Sequence, residues 1–159
     1  MALLTSNRNK VAALAFSATA FIALVTSEGY SDHAYIPVKG DVPTIGFGTT
    51  QGVKIGQHTT PIAALKATRK DVDTYEKAIK KCINVPLNQN EYDAYVDLAY
   101  NIGPGAFCHS TLIKKLNEQH YEEACKEILN WDVFKGRKLA GLTKRRHEEY
   151  ARCMGELGV

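Results

Sequence analysis

Residues 26–50 read TSEGYSDHAYIPVKGDVPTIGFGTT, and the reading of this stretch decides the fold. One glutamate, Glu28, stands at the edge of an apolar run, and helical periodicity is lost beyond it. "AYIPV", "KGD" and "VPTIGFG" read as two short strands joined by a turn, a hairpin over about 35–48. Pro37 and Pro43 are tolerable in it only at strand ends or edges. A hairpin this small is not stable alone in water and has to lean on helices.

The rest of the chain supplies them. "TTPIAALKATRKDVDTYEKAIKKC" opens with Thr60 as N-cap and Pro61 at the first helical position, and Ile62, Leu65, Val72, Tyr75 and Ile79 recur at helical spacing. This predicts one long helix over 61–82. Lys77, Lys80 and Lys81 near its carboxyl end oppose the helix dipole. "PLNQNEYDAYVDLAYNIGPG" pairs Asn88 with Glu91 in a capping-box pattern and stops at Gly103-Pro104. "STLIKKLNEQ", "HYEEACKEILNW" and "LTKRRHEEYARCMG" read as further helices, with "DVFKGRKLAG" as the loop between the last two. The fold class is therefore α+β and mostly helical, with one small hairpin near the amino end and a helical part over about 83–159.

At 159 residues the chain is long enough to bury one core, and 45% apolar with 23% charged residues is the balance of a soluble fold. Twenty basic against 17 acidic side chains give +3, a mild excess. There is no recognition motif or aromatic-basic strip, so no nucleic-acid partner is expected.

Residues 1–27 depart from this average. "VAALAFSATAFIALVTS" (11–27) carries no charge, and its seventeen residues reach about 25 Å as a helix, the short end of what spans a bilayer. Alanines and the hydroxyls of Ser17, Thr19, Thr26 and Ser27 dilute it. Arg8 and Lys10 ahead of the run keep the amino end in the cytoplasm and send the rest outward, as an export signal does. Three readings stay open: a signal peptide cleaved near Ala18 and Ala20, a permanent anchor, and a core helix tolerated in a membrane on the way. Cys82, Cys108, Cys125 and Cys153 lack metal-ligand spacing, so no metal site is expected. Two disulfides suit an exported chain, three pairings are open, and four buried thiols are the alternative.

Burial can raise the pKa of a carboxyl into the range of a general acid, and a helix C-terminal dipole also favours the protonated form, so Glu28 is the candidate acid. Asp41 in the turn and Thr44 at the start of TIGFG are the candidates to activate and hold a water across from it, as inverting hydrolysis of a glycosidic bond requires. The plainer reading of Lys-Gly-Asp is turn chemistry. Gly46 and Gly48 strip side chains from one strand face where a sugar chain can approach. Tyr35 and Asn101 complete the substrate-binding candidates, with packing and helix capping as their alternatives.

The order Glu-Gly, a tyrosine seven residues after the glutamate, a Gly-containing turn and then "PTIGFG" resembles the active-site hairpin of the phage lysozymes of glycoside hydrolase family 24, endolysins that cut bacterial cell-wall glycan. "NQNEYDAYVDLAYNIGPGAFCHSTLIKKLN" and "WDVFKGRKLAGLTKRRHEEYARC" look like that family's carboxyl lobe, so the resemblance covers about residues 24–153. It implies a lysozyme-like two-lobed domain, with a catalytic part over 28–159 made of a small hairpin lobe and a helical lobe. It also implies a cofactor-free monomer that hydrolyses the β-1,4 bond between N-acetylmuramic acid and N-acetylglucosamine in peptidoglycan. Glu28 takes the family's acid role and Thr44 its threonine role.

The middle member fits less simply, because the interval from Glu28 to Thr44 is one residue longer than the family pattern. Asp41 is assigned the aspartate role, with Asp32 the weaker candidate. Thr49 stands where the family often has histidine after the second glycine. Arg145 and Arg146 match the arginines that brace the family's last helix, either holding acidic side chains near Glu28 or forming a solvated charge face. Residues 1–27 look like a signal-arrest-release segment. Such a segment is recognised by the export machinery, held uncleaved in the host inner membrane facing the periplasm, and later released to the soluble periplasm as the first helix of the enzyme. The rival readings are a lytic transglycosylase on the same glycan and a non-catalytic exported peptidoglycan-binding module.

Overall fold

The computed structural model describes residues 7–156; the outermost parts of the amino-terminal segment and of the carboxyl-terminal lobe, 1–6 and 157–159, lie outside it. The fold is mixed and mostly helical. In order, the elements are α1 (Ala18–Glu28), β1 (Ser31–Tyr35), β2 (Thr44–Gly46), α2 (Pro61–Cys82), α3 (Gln89–Ile102), α4 (Pro104–Cys108), α5 (Thr111–Asn117), α6 (Tyr121–Glu127), β3 (Val133–Phe134), β4 (Arg137–Lys138) and α7 (Ala140–Cys153). Phe21–Thr74 forms one compact unit and the rest of the described chain forms the other, the boundaries falling inside α1 and α2.

In the smaller unit β1 and β2 pair antiparallel, Ser31 with Gly46 and Tyr35 with Thr44, through an irregular register. The strands are shorter than the sequence suggests, and the first starts earlier, at Ser31. Pro37 and Pro43 have no N–H to give a ladder, so residues 36–43 form a loop instead. A third segment closes on the outer edge of β1: Ala34 N–H donates to Gln57 O, Thr59 N–H donates to Asp32 O, and His33 bridges to His58. Gly29, at φ +69°, ends α1 in the left-handed conformation that a non-glycine residue avoids.

The larger unit is built around α3, whose residues from Glu91 to Tyr100 are all buried. Tyr92, Tyr95, Leu98, Phe107, Leu112, Leu116 and Ile128 fill its core. Three buried acids of α3 each have a partner: Glu91 takes Arg8, Asp93 takes Ser17, and Asp97 takes Arg145. The Asn88–Glu91 capping box is formed in both directions. Disulfides join Cys82 to Cys108 and Cys125 to Cys153, so one of the three pairings is selected and no described cysteine is free. By chain entropy, loops of 26 and 28 residues correspond to about 3.5 kcal/mol each. "DVFKGRKLAG" is not a plain loop. Lys135 (φ 49°) and Gly136 (φ 78°) make the tight turn of a minimal hairpin between β3 and β4.

The apolar run is not one helix. Val11–Ala13 is a 3₁₀ turn, helix resumes only at Ala18, and the backbone between them is held by side chains of the larger unit. Lys80 Nζ donates to Leu14 O and Gln89 Nε2 to Ala15 O. Phe16 N–H donates to Glu76 Oε1 at 2.7 Å, and Ser17 N–H to Asp93 Oδ1 at 3.0 Å. Ser17 Oγ then accepts from Ala20 N–H and caps α1. Leu14, Phe16 and Ala20 are buried.

Candidate active site

Glu28 is the last residue of α1, half-buried, and lies in the same compact unit as the hairpin. Its carboxyl rests on Gly48. A Cβ built at that glycine falls 2.9 Å from Glu28 Oε2 and 3.2 Å from Glu28 Cδ. Gly48 also has φ +87°, so both the backbone and the space above it require glycine.

Gly46 does something different. A Cβ there would lie 2.9 Å from Ala64 Cβ on α2, so the bare face expected for a sugar chain is occupied by α2. The missing side chain at 46 allows close packing on α2, and the one at 48 leaves room for the Glu28 carboxyl.

Asp41 and Thr44 are linked through one residue. Asp41 Oδ1 accepts from Val42 N–H at 2.8 Å, and Thr44 Oγ1 donates to Val42 O at 3.3 Å, so both candidate water-handling groups are anchored on the two peptide groups of Val42. Asp41 is half-buried and Thr44 is 8% exposed. The turn chemistry expected of Lys-Gly-Asp is thus present, and it fixes the Asp41 carboxylate. Val42 carries no signal in the sequence beyond lying between the two. Asp32 is exposed on β1, where the hydrogen bond from His33 holds its carboxyl below the usual range.

The phage lysozyme family profile matches residues 25–149, which includes Glu28, Asp41, Thr44 and Gly48. The chain belongs to the phage lysozyme family. Among relatives, it is 38% identical over 141 residues to the SAR-endolysin of Pseudomonas phage phiKMV, covering 86% of this chain and 87% of that one. It is 41% identical over 112 residues to the endolysin of Acyrthosiphon pisum secondary endosymbiont phage 1, covering 68% of this chain and 77% of the relative. The solved structure of the endolysin from Escherichia coli O157:H7 phage FAHEc1 superposes with a TM-score of 0.79 at 31% identity, over 95% of this chain and 98% of that one. This lysozyme relationship makes the chain a glycoside hydrolase, and the non-catalytic module and the transglycosylase are set aside.

Of the remaining candidates in this phage lysozyme, Tyr35 ends β1 opposite Thr44 and is 38% exposed. Asn101 lies near the end of α3 in the larger unit, exposed, with Oδ1 accepting from Arg146 Nη1 at 2.9 Å. Arg146 is no solvated charge: it is 1% exposed and donates to Glu149, Asn101 and the Trp131 carbonyl. Arg145 reaches Asp97 and Glu149. Burial, reinforced by the Asp97 charge, pushes the Glu149 carboxyl up to about 8 against the pull of the two guanidiniums. Among the described residues no cluster of His, Cys, Asp and Glu could hold a metal ion.

Proposed function

We propose that this phage lysozyme is an endolysin in which Glu28 protonates the leaving glycosidic oxygen, Asp41 activates the attacking water, and Thr44 holds that water. The reaction cleaves the N-acetylmuramic acid to N-acetylglucosamine bond of host peptidoglycan for lysis. The observation that carries it is the seating of the Glu28 carboxyl on Gly48, inside the stretch that matches the family. A glutamate at a helix C-terminus is poorly placed for stability, and a glycine conserving space beneath it is explained by a use for that carboxyl. Because the Thr44 hydroxyl gives its hydrogen to Val42 O, its lone pairs are left to accept from a water. Asp41 is favoured over Asp32 because Asp41 and Thr44 are both hydrogen-bonded to Val42, whereas Asp32 is committed to His33. The test is the pair Asp41→Asn and Asp32→Asn on purified peptidoglycan. Asp41→Asn is expected to cost about 10²-fold or more in kcat, within the range for a catalytic base, and Asp32→Asn less than about threefold. The reverse order would move the water-activating role to Asp32.

The amino-terminal segment fits release from a membrane. No described helix is long and apolar enough to cross one. In a bilayer core, however, residues 11–27 would have to satisfy their backbone groups within a single helix. In the folded protein Leu14–Ser17 instead give those groups to Lys80, Gln89, Glu76 and Asp93. The segment thus has two competing structures, and the second brings Glu28 to the end of a short α1. The phiKMV relative carries the name SAR-endolysin. Export machinery and the inner membrane are then transient partners, and the enzyme ends in the periplasm. Fractionating cells before and after collapse of the membrane potential is expected to move the intact chain from membrane to soluble fraction. A chain that stays in the membrane fraction would show a permanent anchor.

A further inference from the structure

Thr49 and Asp71 take no part in the proposed acid and water chemistry, yet they hold the turn on which Glu28 rests. That turn is closed on itself by a reciprocal pair of backbone bonds, Ile45 N–H to Thr49 O at 2.9 Å and Thr49 N–H to Ile45 O at 3.0 Å. These bonds give the turn its shape, while β2 pairing with β1 and the Phe47 ring against Tyr30 tie it to the rest of the hairpin lobe.

Two contacts tie the turn to α2. At one, Gly46 approaches Ala64 so closely that a Cβ would stand 2.9 Å from the alanine's own. At the other, Thr49 Oγ1 donates to Asp71 Oδ2 at 2.9 Å. Ala64, the fully buried Thr68 and Asp71 recur at helical spacing, so both points lie along one face of α2. Gly48, the seat of the Glu28 carboxyl, sits between them in the chain.

The first point is a contact of small apolar groups with no directional preference. The second is a charge-assisted hydrogen bond, which fixes both distance and direction. We propose that Asp71 is a positioning residue for the acid: through Thr49 it holds Gly48 in place beneath the Glu28 carboxyl. Burial keeps the Asp71 carboxyl above its usual range, so this carboxylate is maintained at a cost that the Thr49 hydroxyl offsets. The inference rests on Glu28 being the acid.

The test compares Thr49→Val, which keeps the shape and removes the donor, with Thr49→Ser, which keeps the donor, and with Asp71→Asn. Each is measured for kcat and KM on soluble peptidoglycan fragments and for melting temperature, with Glu28→Gln alongside. A misplacement of the acid by a fraction of an ångström is expected to lower kcat about tenfold in Thr49→Val and Asp71→Asn, with KM within about twofold of wild type. Thr49→Ser stays within about twofold in kcat. The double variant Thr49→Val with Asp71→Asn is no worse than either single one, because both remove the same contact. The positioning role is overturned if Thr49→Val keeps wild-type kcat while Glu28→Gln is inactive. It is equally overturned if Thr49→Val and Thr49→Ser lose kcat together in step with melting temperature. Wild-type kcat in Glu28→Gln would instead overturn the acid assignment beneath it.

Discussion

Glu28→Gln is expected to lower kcat on purified peptidoglycan by about 10²–10⁴-fold, the usual contribution of a positioned general acid, with little change in melting temperature. Glutamine preserves the size of the side chain and its fit over Gly48, and Glu28 is only half-buried at the end of α1, so the fold has little to lose. The amide has no acidic proton to deliver to a departing sugar oxygen. Binding of the glycan is expected to survive, which places the loss in kcat rather than KM. Activity within about tenfold of wild type would remove Glu28 from the acid role.

Gly48→Ala should produce the next largest loss, by a different route. The new Cβ would stand 2.9 Å from Glu28 Oε2, and the cheapest relief is for the flexible carboxyl end to swing away. Steric cost is thereby converted into displacement of the acid, and a shift of about 1 Å is enough to cost roughly 10²-fold in kcat. The φ of +87° adds backbone strain of about 1–2 kcal/mol. Gly52→Ala separates the two effects. Gly52 has φ +72° with nothing within 4 Å of its built Cβ, so it bears the strain alone. A lowered melting temperature in both variants, with kcat lost only in Gly48→Ala, is the expected pattern. Equal kcat in the two would mean that the glycine under Glu28 serves the backbone only.

Local signals in the sequence were easily read. Thr60 before Pro61 and Asn88 ahead of Glu91 mark helix starts because their partners lie within one turn, and both are formed: Thr60 Oγ1 accepts from Ala63 N–H, and the capping box closes. Glu28 and Thr44 stood out for their place around a hairpin whose turn and glycines are equally local.

What stayed hidden depends on residues distant in sequence. The break at Leu14–Ser17 exists because Glu76, Lys80, Gln89 and Asp93 satisfy it from 60 to 76 positions along the chain, and nothing inside the apolar run announces it. For Arg145 and Arg146 a solvated charge face and a bracing role stay open in the sequence, because, although Glu149 is a neighbour on α7 itself, Asp97 and Asn101 are met only once α7 lies against α3. The two glycines could be recognised as gaps, but what fills each gap, Ala64 at one and Glu28 at the other, depends on α2 and α1. Disulfide pairing follows the same logic, since it is set by which helices meet.

The acid role itself is tested most directly by changing the leaving group. Wild type and Glu28→Gln are to be compared on a peptidoglycan oligosaccharide and on the same oligosaccharide carrying a leaving group that departs without a proton, such as fluoride. If Glu28 donates the proton, Glu28→Gln loses its activity on the natural glycan but retains most of the wild-type rate on the fluoride. An equal loss on both substrates would contradict proton donation by Glu28 and with it the catalytic account built on the hairpin.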